Sequence, residues 1–154
     1  MIGPVAAGKS TLVARAGFAE VIDQDAELER MIGNDWSRLA ELRPLATART
    51  WARVPLLRAA RTPLVIEVTG DKPELLAAEV SAGHAAGYVE VGVGLRRPLD
   101  VCLARNRARA RVLPDGLVVA TWHAFERYLD VYPRVLDAFS LVEDDVDLHA
   151  IAGW

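Results

Sequence analysis

The sequence predicts an α/β domain built on a parallel sheet, and three observations carry that prediction. Short β-rich runs alternate with longer helical stretches along the chain. A glycine-bearing segment at residues 3–8 opens directly into a helical pattern. The clearest apolar run, Leu64-Val65-Ile66-Glu67-Val68, is short and bounded by Pro63 and by Thr69-Gly70. The 154 residues correspond to one domain, and 52% hydrophobic with 25% charged residues is the balance of a globular chain that can hold a core without disulfides or metal.

Taken in order, the elements follow from local chemistry. Residues 9–15 read as a helix that Gly17 stops. A short strand at 19–22 comes next and delivers Asp23 and Asp25 at its end. Residues 26–32 read as helical, and Asp25 before Ala26-Glu27-Leu28-Glu29 has the form of a helix N-cap; Gly33-Asn34 breaks this helix. A further helical region covers 36–60, with interruptions expected at Pro44 and Pro55. After the strand at 64–68, residues 73–86 are helical and 88–93 alternate as a strand. An arginine-rich helix is expected over 98–111, and Pro114-Asp115-Gly116 makes a turn. A long amphipathic helix covers 117–138, and a last strand at 139–143 precedes the acidic Asp144-Asp145-Val146-Asp147.

Composition excludes several classes. A net charge of −3 argues against coating nucleic acid through bulk positive charge, although a local basic groove is compatible with it. The single cysteine, Cys102, cannot form an internal disulfide, so a reducing cytoplasm is the expected location. No apolar run is long enough to span a bilayer, and Met1-Ile2-Gly3 has no signal-peptide form. Lys9 and Lys72 are the only lysines, so arginine clusters need positional support before they count as sites. His84, His123 and His149 share no metal-ligand spacing. Trp36, Trp51, Trp122 and Tyr128 fall in helical stretches as core or pocket wall.

Gly3-Pro4-Val5-Ala6-Ala7-Gly8-Lys9-Ser10-Thr11 matches the phosphate-loop pattern of Gly, four residues, then Gly-Lys-Ser/Thr. Glycines let backbone N–H groups approach phosphate oxygens, and the following helix presents its positive end. Lys9 adds a full charge to the β and γ phosphates, and Ser10 is the expected ligand of Mg²⁺. Gly3, Ala6, Ala7, Gly8, Lys9, Ser10 and Thr11 are therefore the expected ATP-binding residues. A buried strand leads into every such loop, whereas only Met1 and Ile2 precede Gly3 here; a truncated first strand is expected.

The spacing also narrows the class. A guanine-reading Asn-Lys-x-Asp motif is absent, because the asparagines are Asn34 and Asn106 and neither precedes lysine. A small kinase fits the length better than a motor-type ATPase. In its second half the chain carries Arg105-Asn106-Arg107-Ala108-Arg109-Ala110-Arg111-Val112-Leu113-Pro114, followed by the stretch with Trp122, Phe125 and Tyr128. With the loop and the Asp23/Asp25 pair, this resembles the phosphate-loop kinases of the polynucleotide kinase and zeta-toxin-like group. The resemblance implies one kinase domain over 1–154, with a helical arginine-bearing lid at about 98–116. It also implies a base on the strand after the first helix. Where that group usually places an arginine or bulky residue just after the base, this chain has Ala26-Glu27-Leu28-Glu29.

The expected reaction is transfer of the γ-phosphate of Mg-ATP to a hydroxyl of a nucleic acid, nucleotide or nucleotide-sugar. A small-metabolite or drug kinase is the nearest alternative. An ATP-hydrolysing switch module, in which Glu67 orients water, is the alternative from another class. Phosphoryl transfer needs positioning and charge stabilisation more than covalent chemistry. Asp25 is the expected base that aligns the acceptor hydroxyl; Asp23 is the alternative, as base or as a metal partner through water. The four-residue spacing of Arg105 and Arg109 places both on one helix face, from which they reach the nucleotide phosphates. Thr69, after the central strand, is an expected acceptor contact.

Overall fold

Ile2 holds the centre of the sheet that carries the site. In the computed structural model its N–H donates to Val93 O at 2.8 Å and its carbonyl accepts from Leu95 N at 2.8 Å. On the other side Gly3 N donates to Val68 O at 3.2 Å and Val68 N to Met1 O at 3.0 Å. The segment expected to be too short for a strand thus bridges Val68 and Gly94, both in parallel. The structure describes residues 1–33, 35–143 and 146–152. The expectations at Asn34, Asp144 and Asp145 lie outside those residues.

The chain divides into two compact units, Met1–Gly17 with Val68–Trp154, and Phe18–Glu67. The first unit contains α1 (Lys9–Ala16), α4 (Pro73–Ala85), β3 (Val91–Leu95), α5 (Leu99–Arg107), α6 (Asp115–Arg127), α7 (Tyr132–Val135), β4 (Ala138–Val142) and α8 (Leu148–Ala152). β3 and β4 pair in parallel, from Val91 with Ala138 to Leu95 with Val142. Ile2, Phe125 and Tyr132 are buried together, with Val68, Leu76, Tyr128, Leu129, Leu136 and Phe139 packed against them. This burial is the main force that holds the sheet to its helices.

The second unit contains β1 (Val21–Ile22), α2 (Gln24–Ile32), a 3₁₀ turn at Trp36–Arg38, α3 (Leu39–Ala59) and β2 (Val65–Ile66). β1 and β2 pair in parallel. Leu28 and Ile32 of α2 pack on Leu42 and Ala46 of α3, with Met31, Trp36 and Leu39 around them. Every strand pairing among the described residues is parallel, so the α/β class expected from the alternating pattern holds.

Several boundaries differ from those expected. α3 runs unbroken through Pro44 and Pro55. Both prolines are exposed, and the buried stripe Leu42, Ala46, Thr50 and Val54 on the opposite face offsets the lost backbone bonds. The expected 117–138 helix is two helices. α6 begins at Asp115 and ends at Arg127, and α7 takes Pro133 into its first turn, where a missing N–H is harmless. The strand at 64–68 is reduced to Val65 and Ile66, with Val68 as a separate bridge. The strand placed at 88–93 lies at 91–95 instead, because its partners are Ile2 and β4. Glu143 pairs with Arg96 at 3.4 Å, and Asp147 accepts the His149 and Ala150 N–H groups at the start of α8.

Candidate functional site

The loop between Ile2 and α1 is shaped by two left-handed residues, Ala6 at φ 61° and Gly8 at φ 105°. A side chain at Gly8 would be strained by that φ, and its Cβ would stand 2.9 Å from Arg105 Nη1. Ala7 N donates to Pro4 O at 3.3 Å, and Val5 N donates to Thr121 Oγ1 at 3.3 Å. The Thr121 hydroxyl, buried on α6, donates its own hydrogen bond to Val118 O at 3.1 Å. Lys9, the first residue of α1, turns its ammonium back onto the loop, donating to Gly3 O at 2.7 Å and Pro4 O at 3.0 Å. Ser10 and Thr11 are exposed in the first turn. The result is a backbone concavity at a helix N-terminus with a lysine beside it, an arrangement suited to phosphate.

A second cation stands against this loop. Arg105, on the last turn of α5, donates through Nη1 to Ala7 O at 2.6 Å. Arg109 was expected on the same helix face, but α5 ends at Arg107 and Arg109 lies beyond it, exposed in a loop. The helix stops there because Asn106 turns the chain. Its amide donates to Leu113 O at 2.8 Å and accepts from Leu113 N at 3.1 Å. Arg107 pairs with Asp115 at 2.5 Å.

Burial raises the Cys102 thiol above its ordinary range, and the nearby Arg105, Lys9 and Arg97 cations offset only part of that. Cys102 is fully buried on α5, beneath those cations.

Thr69 follows Val68, whose carbonyl accepts from Gly3 at the start of the loop. Its hydroxyl donates to Asp71. Between them Gly70 adopts φ 80°, and its carbonyl accepts from the buried Tyr132 hydroxyl at 2.9 Å. Burial, and then the neighbouring Asp71 charge, push the Tyr132 phenol well above its ordinary range, so it acts as a fixed donor. Thr121, Tyr132 and Asp71 were missed from the sequence as site residues. Helical spacing marks Thr121 and Tyr132 only as inward-facing, and no spacing signals their backbone partners.

Asp23 and Asp25 belong to the second unit. Asp23 Oδ1 accepts from the Asp25 N–H at 2.9 Å and the Ala26 N–H at 3.1 Å. The N-cap is therefore Asp23, not Asp25, and α2 starts two residues earlier than expected. Asp25 lies in the first turn, exposed.

These features match those of known proteins in one respect. A family model described as AAA domain covers residues 1–133. The chain belongs to the AAA domain family. That family is of the phosphate-loop nucleoside triphosphatase type and includes kinases, and its members generally bind nucleotide and Mg²⁺. Comparison with curated proteins finds no match. The AAA domain assignment agrees with the parallel α/β architecture and with the position of the loop before α1. No described helix is long and apolar enough to cross a membrane. Among the described residues no group of three or more His, Cys, Asp or Glu side chains could hold a metal. Mg²⁺ carried on a nucleotide needs no such group, since phosphate oxygens and water supply most of its ligands.

Proposed function

We propose that this AAA domain is an ATP-dependent kinase of the polynucleotide kinase and zeta-toxin-like group. It transfers the γ-phosphate to a hydroxyl of a nucleic acid, nucleotide or nucleotide-sugar. The observation that carries the reading is the Arg105 contact with Ala7, which sets a guanidinium from the arginine-rich segment against the phosphate loop. A loop that only held nucleotide would have no need of a second cation from a distant helix, whereas phosphoryl transfer gains from charge aimed at the transferred group.

In this reading 1–154 is one kinase domain with its lid at 98–116. The backbone N–H groups of Ala6 and Gly8, with the Lys9 ammonium, hold the β and γ phosphates. Ser10 would hold Mg²⁺, which would supply positive charge to the phosphates. The acceptor oxygen attacks the γ-phosphorus while the bond to the β-phosphate oxygen breaks, releasing ADP. Asp25 accepts the acceptor's proton; Asp23 is already engaged as the cap of α2. Arg105 and Arg109 balance the charge on the transferred group. Thr69 orients the acceptor. The assignment is tested by following labelled γ-phosphate against a panel of oligonucleotides, nucleotides, nucleotide-sugars, nucleosides and small alcohols. Label is expected on a nucleic acid, nucleotide or nucleotide-sugar. Release of the label as inorganic phosphate at one rate, with or without every acceptor, would overturn the kinase reading.

A further inference from the structure

Asn106 is a fully buried polar side chain at the last turn of α5. Burying an amide is costly unless its groups are bonded, and here both are. The amide N–H₂ and oxygen pair with the carbonyl and N–H of a single residue, Leu113. The Asn106 backbone carbonyl also accepts from Arg109 N at 3.2 Å. One residue therefore fixes both the first turn and the far end of the loop that carries Arg109 and Arg111. Its chain neighbour Arg105 meanwhile bonds Ala7 of the phosphate loop. Consecutive residues thus tie the arginine loop to α5 and tie α5 to the phosphate loop. Arg109 makes no side-chain bond or ion pair with any described residue, so nothing but this backbone frame sets where its guanidinium can reach.

We propose that Asn106 is a positioning residue for phosphoryl transfer: it holds the arginine loop so that Arg109 and Arg105 act on the same phosphate group. The inference rests on the kinase reading above. It touches no substrate and acts only through the loop it closes. Removing it leaves Lys9 and the phosphate-loop backbone unchanged but loosens residues 108–113.

The test compares the full chain with Asn106→Ala and Asn106→Asp. Binding of a fluorescent ATP analogue is expected to stay within about threefold, while kcat for ADP formation falls about tenfold to a hundredfold. A purely structural role would lower melting temperature and active fraction without changing kcat per folded molecule. Tryptic cleavage after Arg107, Arg109 and Arg111 is expected to accelerate, with cleavage elsewhere unchanged. Asn106→Asp keeps the bond from Leu113 N but sets a buried carboxylate oxygen against Leu113 O, so its kcat should fall at least as far as in Asn106→Ala; where neither variant folds, amide exchange in the parent decides. In the parent, the Leu113 amide should exchange with solvent as slowly as the amides of α5. A folded Asn106→Ala with parent kcat, or a Leu113 amide that exchanges like an exposed loop, overturns the positioning role alone. A parent chain that forms no ADP with any acceptor of the panel above, or whose turnover survives Lys9→Ala, overturns the kinase reading and this inference with it.

Discussion

Arg105 Nη1 donates to the carbonyl of Ala7 at 2.6 Å across 98 residues of sequence. This bond joins the last turn of α5 to the middle of the phosphate loop. A guanidinium keeps several N–H donors in a rigid plane, so one can hold the loop while others remain for a ligand. A lysine offers no such fork. Arg105→Lys is accordingly expected to lose turnover about tenfold or more, close to the loss from Arg105→Ala. Steady-state ADP formation measures this, and a lysine variant as active as the parent would show that charge alone suffices. Because Arg105 is exposed, melting temperature should barely change in either variant.

Lys9 supplies the loop's own charge. With its ammonium on Gly3 O and Pro4 O, it must exchange those carbonyls for phosphate when nucleotide enters. Lys9→Met keeps most of the stem and removes the charge. Affinity for a fluorescent ATP analogue should drop about tenfold or more, and turnover about a hundredfold or more. Titration of the analogue and ADP formation read the two effects separately. Parent-like values in both would remove the phosphate-loop role of residues 3–11.

How much of this was legible in the sequence depends on the range of the interaction. The phosphate loop reads directly, because Gly8 and Lys9 answer to a local turn and a local helix end. The parallel α/β class reads from alternation, which is also local. The lid does not. Spacing alone places Arg105 and Arg109 on one helix face, and the bonds that end α5 run from Asn106 to Leu113, where no periodicity reports them. The same limit explains Pro44 and Pro55. Each breaks helices on average, yet here the buried stripe on the other face of α3 outweighs the local cost. Asp25 looked like a cap because it precedes a helical run, but Asp23 is better placed once Gln24 joins the helix.

The turn after Val68 is overdetermined, and two substitutions should show it. A Cβ at Gly70 would stand 2.6 Å from the Tyr132 hydroxyl oxygen and 2.7 Å from Ile2 Cγ2, on a backbone at φ 80°. Gly70→Ala should therefore cost more than about 2 kcal/mol, from strain and displaced core together. Tyr132→Phe keeps the ring packing but leaves the Gly70 carbonyl without its donor, at about 1–3 kcal/mol. Urea unfolding of both variants provides the check. An unchanged midpoint for Gly70→Ala would mean that Tyr132 and Ile2 yield without cost.

The Asp23 and Asp25 carboxylates can be separated because only one of them is committed to a helix end. Asp23 accepts the Asp25 and Ala26 N–H groups, so Asp23→Ala should destabilise the chain by about 1 kcal/mol, whereas Asp23→Asn, which caps equally well, should not. Asp25 lies exposed in the first turn, two residues past the cap, and Asp25→Asn, an isosteric surface change, should alter stability by no more than about 0.5 kcal/mol. If Asp25 is the base, that same change removes the proton acceptor and lowers phosphoryl transfer about a hundredfold or more, with ATP-analogue binding intact. Asp23→Asn should then transfer phosphate near the parent rate. The reverse pattern, with Asp25→Asn active and Asp23→Asn dead, moves the base to Asp23 and gives one carboxylate both duties. Full activity in both variants takes the base away from this strand end altogether and leaves the arginine loop without its catalytic counterpart.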